Sequence, residues 1–253
     1  MTPTLNVGTW NIRGAAPDRL ETVVAAAATL DADVLVLTES TRQHLALHDL
    51  FAGHGWDIHA TLPPARYRGV AIAVRSGVTT ERVEVADPCS PWAGVAALRV
   101  EGVTLIGLYG PGSDSVVDGR KIKEEWWRGL HRIADDHRQL PAIMIGDLNN
   151  GVRGVDEWSR TFHRSELFEQ LADHGFDDGW RSRHGSAARA ASWWSRTGHP
   201  FRLDHIHTTR SLAVLEADYV LRSGGHQLVS PPGEGRSGVS DHAALVATIG
   251  LLG

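Results

Sequence analysis

Residues 142–150 read Ala142-Ile143-Met144-Ile145-Gly146-Asp147-Leu148-Asn149-Asn150, and this stretch sets how the rest of the chain is read. The apolar run has the length of a buried strand and is too short for a helix; the polar cluster ends it. Residues two apart on an extended backbone point the same way, so Asp147 and Asn149 share a face at the strand's end. A carboxylate beside an amide can orient a water molecule and hold an oxyanion. An Asx-rich turn has the same composition, so the pattern gains meaning only by recurring.

It recurs along the chain. Asn11 closes an apolar run in Thr9-Trp10-Asn11-Ile12-Arg13-Gly14, and Glu39 closes another in Val34-Leu35-Val36-Leu37-Thr38-Glu39-Ser40. Phe201-Arg202-Leu203-Asp204-His205-Ile206-His207 places Asp204 and Ile206 on one strand face and the two histidines on the other. Val239-Ser240-Asp241-His242 leads into a last apolar run. Asp241 is a hard oxygen ligand suited to Mg²⁺. His242 is a candidate acid, base or phosphate donor. A histidine held in one tautomer usually needs a carboxylate partner, and Asp204 is the natural candidate.

Further strand-length runs at 70–74, 95–100, 104–109 and 214–221 are rich in Val and Ile and separated by turn residues. In Val70-Ala71-Ile72-Ala73-Val74 the alternation suits a sheet buried on both faces. Helical spacing of three and four links Leu20, Val23, Val24, Ala27 and Leu30 after Pro17, and Trp126, Trp127, Leu130, Ile133 and Ala134 before Pro141. Residues 166–174 read as a third helix ending at Gly175. The expectation is an α/β protein with many strands, in one large sheet or in two packed sheets covered by helices.

Bulk composition sets bounds. The 253 residues suit one domain spanning 1–253, and 42% hydrophobic with 22% charged residues is ordinary globular usage. No apolar stretch reaches the roughly 18 residues of a membrane span, and no signal peptide is visible. Cys89 stands alone, so no intramolecular disulfide forms, and a cytoplasmic setting is expected. The net charge of −5 gives no global signal for nucleic acid. Locally, residues 181–202 hold Arg181, Arg183, Arg189, Arg196 and Arg202 with no acidic residue. This segment reads either as a solvated loop or as a phosphate-contacting rim, with Arg183, Arg189 and Arg196 as candidate substrate contacts. Among the fourteen histidines, His205-x-His207 lacks a third ligand for zinc.

The ordered set Trp10-Asn11-Ile12-Arg13-Gly14, Gly146-Asp147-Leu148-Asn149, Arg202-Leu203-Asp204 and Ser240-Asp241-His242 resembles the endonuclease/exonuclease/phosphatase superfamily. The resemblance runs from Asn11 to His242. It implies a four-layer α/β sandwich of two packed central mixed sheets flanked by helices. It implies a phosphoesterase dependent on Mg²⁺ or Mn²⁺, with Asn11, Glu39 and Asp241 around the metal. By the same resemblance Asp147 orients or deprotonates water, Asn149 contacts a phosphate oxygen, Asp204 holds His242, and Tyr109 joins the site. Where relatives often read Tyr-x-Pro-Asn, this chain has Gly112 in place of the Asn. Phe201 matches one aromatic of the sugar pocket of abasic-site endonucleases, and its partner position falls on Ala191. Trp193-Trp194 read as packing residues or as a substrate wall. The expected substrate is a phosphate ester, nucleic acid among the candidates, with no membrane span and no obligate protein partner. The alternatives are a phosphatase or phosphodiesterase for a small or lipid-linked phosphate, and a non-catalytic binding module. All eight site positions carry the residues catalysis needs, which weighs against the binding module.

Overall fold

The computed structural model describes residues 3–14, 17–41, 46–60, 68–86, 88, 94–112, 116–117, 120–233 and 237–251. Cys89 lies outside them. In chain order the strands are β1 (Thr4–Asn11), β2 (Val34–Ser40), β3 (Trp56–Ala60), β4 (Gly69–Arg75), β5 (Thr80–Arg82), β6 (Gly94–Val100), β7 (Val103–Tyr109), β8 (Val116–Val117) and β9 (Arg120–Lys121). They continue as β10 (Ala142–Asp147), β11 (Phe176–Asp178), β12 (Trp193–Trp194), β13 (Pro200–Phe201), β14 (Asp204–Thr209), β15 (Leu212–Val220), β16 (Arg222–Ser223), β17 (His226–Gln227) and β18 (Ala244–Leu251). The α-helices are α1 (Leu20–Ala28), α2 (Leu47–Ala52), α3 (Ile122–His137), α4 (Ser165–Glu169) and α5 (Gly179–His184).

Two six-stranded sheets carry the fold. One runs β15-β18-β1-β2-β4-β3 and the other β11-β14-β10-β7-β6-β5. Each is antiparallel except at its middle, where β1 pairs with β2, and β7 with β10, in parallel. A parallel pair needs a crossover; α1 lies between β1 and β2, and α3 between β7 and β10.

Period-two alternation sends alternate side chains to opposite faces, and three cores result. Between the sheets, Val7, Val36, Val70 and Ile72 meet Leu98, Leu105, Ile143 and Ile206. On the outer face of the first sheet, Trp10, Leu37, Ala71 and Ala73 pack under Val23, Val24 and Phe51. On the outer face of the second, Ile106 and Met144 pack under Trp126, Trp127, Leu130 and Phe168. The alternating Val70–Val74 segment thus feeds two cores at once, as its sequence predicts. The arrangement is a four-layer α/β sandwich. Gly107 marks where the sheets come closest, since a Cβ there would lie 2.9 Å from Val36 and Val70. Gly146, with φ +151°, runs so close to β7 that a Cβ would lie 1.9 Å from the Leu108 carbonyl oxygen; only glycine fits. No helix among the described residues is long and apolar enough to cross a membrane.

The single helix expected over 166–174 is instead α4 followed by a 3-10 turn at Gln170–Ala172, a common way to tighten a helix end. Within residues 201–207 the ladder of β14 begins only at Asp204. The Leu203 N–H donates to Ser192 Oγ at 2.9 Å, and its carbonyl accepts from Leu148 N at 2.9 Å.

Candidate active site

Both parallel pairs end at the same edge of the sandwich. Ligand sites in open α/β sheets favour the carboxyl ends of parallel strands, because side chains from several strands converge there on unpaired backbone. In the second sheet the register puts Asp147 opposite Tyr109 on one side and opposite Asp204 on the other. In the first sheet Asn11 lies opposite Thr38, one residue before Glu39. The two sheets are tied together here: Asn11 Nδ2 donates to Asp147 Oδ2 at 2.8 Å and to Glu39 Oε1 at 3.3 Å.

The small motif residues hold this geometry. Trp10 Nε1 donates to the His242 carbonyl at 2.9 Å, and Ser240 Oγ donates to the Asn11 carbonyl at 2.6 Å. Ser192, which nothing in the sequence singles out, accepts at Oγ from both Leu203 N and Asp204 N; its carbonyl accepts from Ala243 N. Tyr219, also unforeseen, donates its hydroxyl to the Asp204 carbonyl at 2.6 Å. Arg13, Glu39 and Asn149 adopt left-handed backbone, with φ of +54°, +59° and +48°. Non-glycine residues accept this at a cost of order 1–3 kcal/mol each, and such strain clusters at functional sites.

Asp147, Asp204 and His242 are buried and form one group. His242 Nδ1 donates to Asp204 Oδ2 at 2.8 Å. Burial opposes a charge on the imidazole, but the Asp204 carboxylate overcomes it and raises the pKa to about 9. Burial, with Asp204 behind it, pushes Asp147 up to about 7. Asp147 Oδ1 also accepts from the Asn149 backbone N–H at 2.9 Å. Ligand-type atoms of the trio lie within 4.8 Å of one another. With Nδ1 engaged by Asp204, Nε2 is the ring nitrogen that His242 has left for a proton, a phosphate oxygen or a cation.

Glu39 and Asp241 differ from the trio in being open to solvent, with side chains 20% and 42% exposed. Glu39 Oε2 pairs with Arg68 Nη1 at 2.9 Å, and Tyr109 donates its hydroxyl to Oε1 at 3.3 Å. Burial and Glu39 hold the Tyr109 phenol protonated well above its ordinary range. Asp241 faces Arg13 Nε at 3.8 Å and accepts from Trp193 Nε1 at 3.3 Å. The backbone N–H of Arg13 reaches Asn11 Oδ1 at 2.8 Å, which fixes the amide's oxygen there and aims its nitrogen at the carboxylates. Asn11 is therefore placed as a bridging donor between Glu39 and Asp147.

A cleft of about 380 Å³ opens over these groups; Glu39, Asp147, Asn149, Asp241 and His242 all line it. Asn149 donates one amide N–H to the Gly110 carbonyl at 3.0 Å, which leaves the second N–H of that amide. Gly112 lies beside it, where a Cβ would come 3.6 Å from Asn149 Oδ1. Trp193 and Phe201 form an aromatic wall, their rings 5.5 Å apart, with Leu203 alongside. The expected partner of Phe201, Ala191, does not line the cleft; Trp193 takes that place because its backbone bridges to His242. Lys123 was not foreseen either. It is buried on α3, lines the cleft and donates from Nζ to the Asn149 carbonyl at 2.8 Å. Its spacing with Trp127 and Leu130 places it on the helix's buried stripe, a legible signal.

The arginine segment divides. Arg202 is fully buried, with Nε 2.6 Å from Asp156 Oδ1 and Nη1 3.3 Å from Asp178 Oδ1. Arg181 joins the same network through Asp156. Arg196 lines a second cleft of about 670 Å³ that shares Trp193 and Asp241 with the first. Arg183, exposed on α5, and Arg189 line neither. The segment is thus part buried scaffold and part rim.

The model of the Endonuclease/Exonuclease/phosphatase family matches residues 8–242. No curated protein matches the chain significantly. Among solved structures, the 3′ phosphatase NExo from Neisseria bound to product DNA hairpin is 23% identical with a TM-score of 0.77, covering 96% of this chain and 98% of that one. An AP endonuclease from Archaeoglobus fulgidus is 22% identical with a TM-score of 0.78, over the same shares. TDP2 from C. elegans is 19% identical with a TM-score of 0.71, covering 98% of this chain and 75% of that one.

Proposed function

The chain belongs to the endonuclease/exonuclease/phosphatase family, and from that premise we propose that it is a divalent-metal-dependent hydrolase of phosphate esters in nucleic acid, acting by in-line attack of water. The observation that carries the proposal is the buried imidazole of His242, pinned by Asp204 beside Asp147 at the floor of an aromatic-walled cleft.

Asp147, with a pKa near neutrality, accepts a proton from the attacking water and orients it. The hydrogen bonds that it receives from Asn11 and from the Asn149 backbone hold its two oxygens in place. His242 remains an imidazolium at neutral pH and offers Nε2 to a non-bridging phosphate oxygen. Asn149 adds a neutral donor toward the charge that develops there, and Tyr109 would join it if its O–H, which Glu39 accepts here, turned to the phosphate. Each such donor is typically worth on the order of 3 kcal/mol of barrier. Lys123 brings a buried cation to the same loop.

Glu39 and Asp241 suit a hard cation. Both present carboxylate oxygens to the cleft, both are open enough to leave room for water ligands, and neither sulfur nor imidazole nitrogen is needed. Mg²⁺ or Mn²⁺ held there would neutralise charge on the phosphate and the leaving oxygen. Asn11 would orient Glu39 for it.

The Trp193–Phe201 wall favours a substrate with a ring next to the scissile phosphate, as a nucleotide has. With one cysteine and no intramolecular disulfide, a reducing, cytoplasmic setting suits the proposal. A panel of 3′-phosphorylated DNA, abasic duplex, RNA, mononucleotides and inositol phosphates, each with Mg²⁺ and with excess chelator, tests it. Hydrolysis of a nucleic-acid substrate that chelator abolishes is expected. Turnover in chelator, or turnover of inositol phosphates alone, would overturn it.

A further inference from the structure

Residues 156–163 continue the cleft wall, for Thr161, Phe162 and His163 line it. At the loop's tip stands Trp158, 64% exposed. A lone exposed aromatic is ordinary on a protein surface, but this one stands on a turn closed by hydrogen bonds. The carboxylate of buried Glu157 accepts from Ser159 Oγ at 2.9 Å, Thr161 N at 2.8 Å and Gly154 N at 3.4 Å, closing the turn that projects the indole. Glu157 also bridges by its backbone to Phe201, and Arg202 N donates to the Asp156 carbonyl at 2.9 Å. The tip is therefore fixed to the same segment that carries the aromatic wall. The Arg189 guanidinium stands 5.7 Å from the Trp158 ring centre, steered by Nη2 donating to the Gly154 carbonyl at 2.7 Å. An arginine so placed stacks favourably and keeps further N–H groups for an anion.

We propose that Trp158 and Arg189 form a stacking platform for an unpaired base of a nucleic-acid strand whose scissile phosphate lies in the cleft. The proposal rests on the nucleic-acid reading above and adds a second point of contact outside the reacting centre. Every base has a π-face, so a preorganised indole accepts any of them, and the arginine attracts the neighbouring phosphate. It also gives a use to Arg189, which lies outside both clefts.

The test compares kcat/KM for a short single-stranded 3′-phosphorylated oligonucleotide with that for a 3′-phosphorylated mononucleotide. Wild type, Trp158→Ala, Trp158→Phe and Arg189→Ala are measured. In Trp158→Ala the oligonucleotide-to-mononucleotide ratio should fall by about tenfold, the usual effect of removing one stacking partner, with the change in KM rather than kcat. Trp158→Phe, which keeps a ring and the fold, should retain most of the ratio, and Arg189→Ala should lower it and weaken its salt dependence. An unchanged ratio in Trp158→Ala, or an equal loss on both substrates, overturns the platform while leaving the cleft's activity standing. A wild type that cleaves neither nucleic-acid substrate but does cleave inositol phosphates overturns the platform and the reading beneath it.

Discussion

Four carboxylates stand at one strand-end edge of this protein, and they form two pairs that differ in almost every physical respect. Asp147 and Asp204 are buried, share a histidine and lie within reach of one another's charge. Glu39 and Asp241 are open to solvent and face arginines. In the proposed function burial suits the first pair to proton handling, because a low-dielectric setting shifts pKa values and strengthens each hydrogen bond, and exposure suits the second pair to a hydrated cation. On that proposal carboxylates serve two chemistries in one cleft, and depth below the surface separates them.

The buried pair should break hardest. Asp147→Asn or His242→Ala should lower kcat by roughly two to four decades, the usual range for a lost general acid or base. Steady-state rates on 3′-phosphorylated DNA measure this, and a wild-type rate would remove that residue from the chemistry.

Next in size is an effect on the scaffold behind that pair. Arg202 sits between Asp156 and Asp178, and burial's penalty on Asp178 is outweighed by the guanidinium, which holds that carboxyl far below its ordinary range. Removing one partner of a buried ion pair costs about 3–5 kcal/mol. Urea unfolding of Arg202→Met should show a loss of that order, and a stability equal to wild type would make the network dispensable.

The pH profile sharpens the contrast further. Asp147 must lose its proton to take one from water, so the rate rises as pH climbs through about 7, or lower once a cation is bound. His242 must keep its proton, so the rate falls as pH passes about 9. The two limbs belong to the coupled pair rather than to either residue alone. Asp147→Asn should remove the acidic limb; a limb of unchanged position in that variant would assign it elsewhere.

The smallest effect concerns the arginines. Arg196 lines the adjoining cleft and Arg183 does not. Arg196→Ala should reduce the salt slope of oligonucleotide binding by about one, while Arg183→Ala should leave it unchanged. Slopes equal to wild type in both variants would mean that neither arginine meets a phosphate.

Much of this was legible in the sequence, for reasons the structure makes plain. Strands β2, β4, β7 and β10 are mostly apolar runs because they are buried on both faces, and the polar residues at the ends of β2, β7 and β10 stand out against that background. Tyr109, Asp147 and Asp204 could be found singly, but their alignment in one row needed the register. Short strands such as Phe176–Asp178 and Trp56–Ala60 were not legible, since charged or polar residues interrupt them at a sheet edge. The burial of Arg202 was hidden because a charge reads as exposed until its buried partners are known, whereas that of Lys123 could be read from its helical spacing. Ser192 and Tyr219 act through backbone contacts made across the fold, which no local pattern announces.

The most direct test of the division between the pairs is the Mg²⁺ dependence of hydrolysis in Glu39→Gln and Asp204→Asn, measured side by side with wild type on one 3′-phosphorylated oligonucleotide. Glu39→Gln should require more Mg²⁺ for half-maximal rate and recover much of its rate when the ion is raised. Asp204→Asn should keep the wild-type Mg²⁺ requirement and stay slow at every concentration. An unchanged requirement in Glu39→Gln, or rescue of Asp204→Asn by added Mg²⁺, would contradict the assignment of the open pair to the metal and the buried pair to the proton.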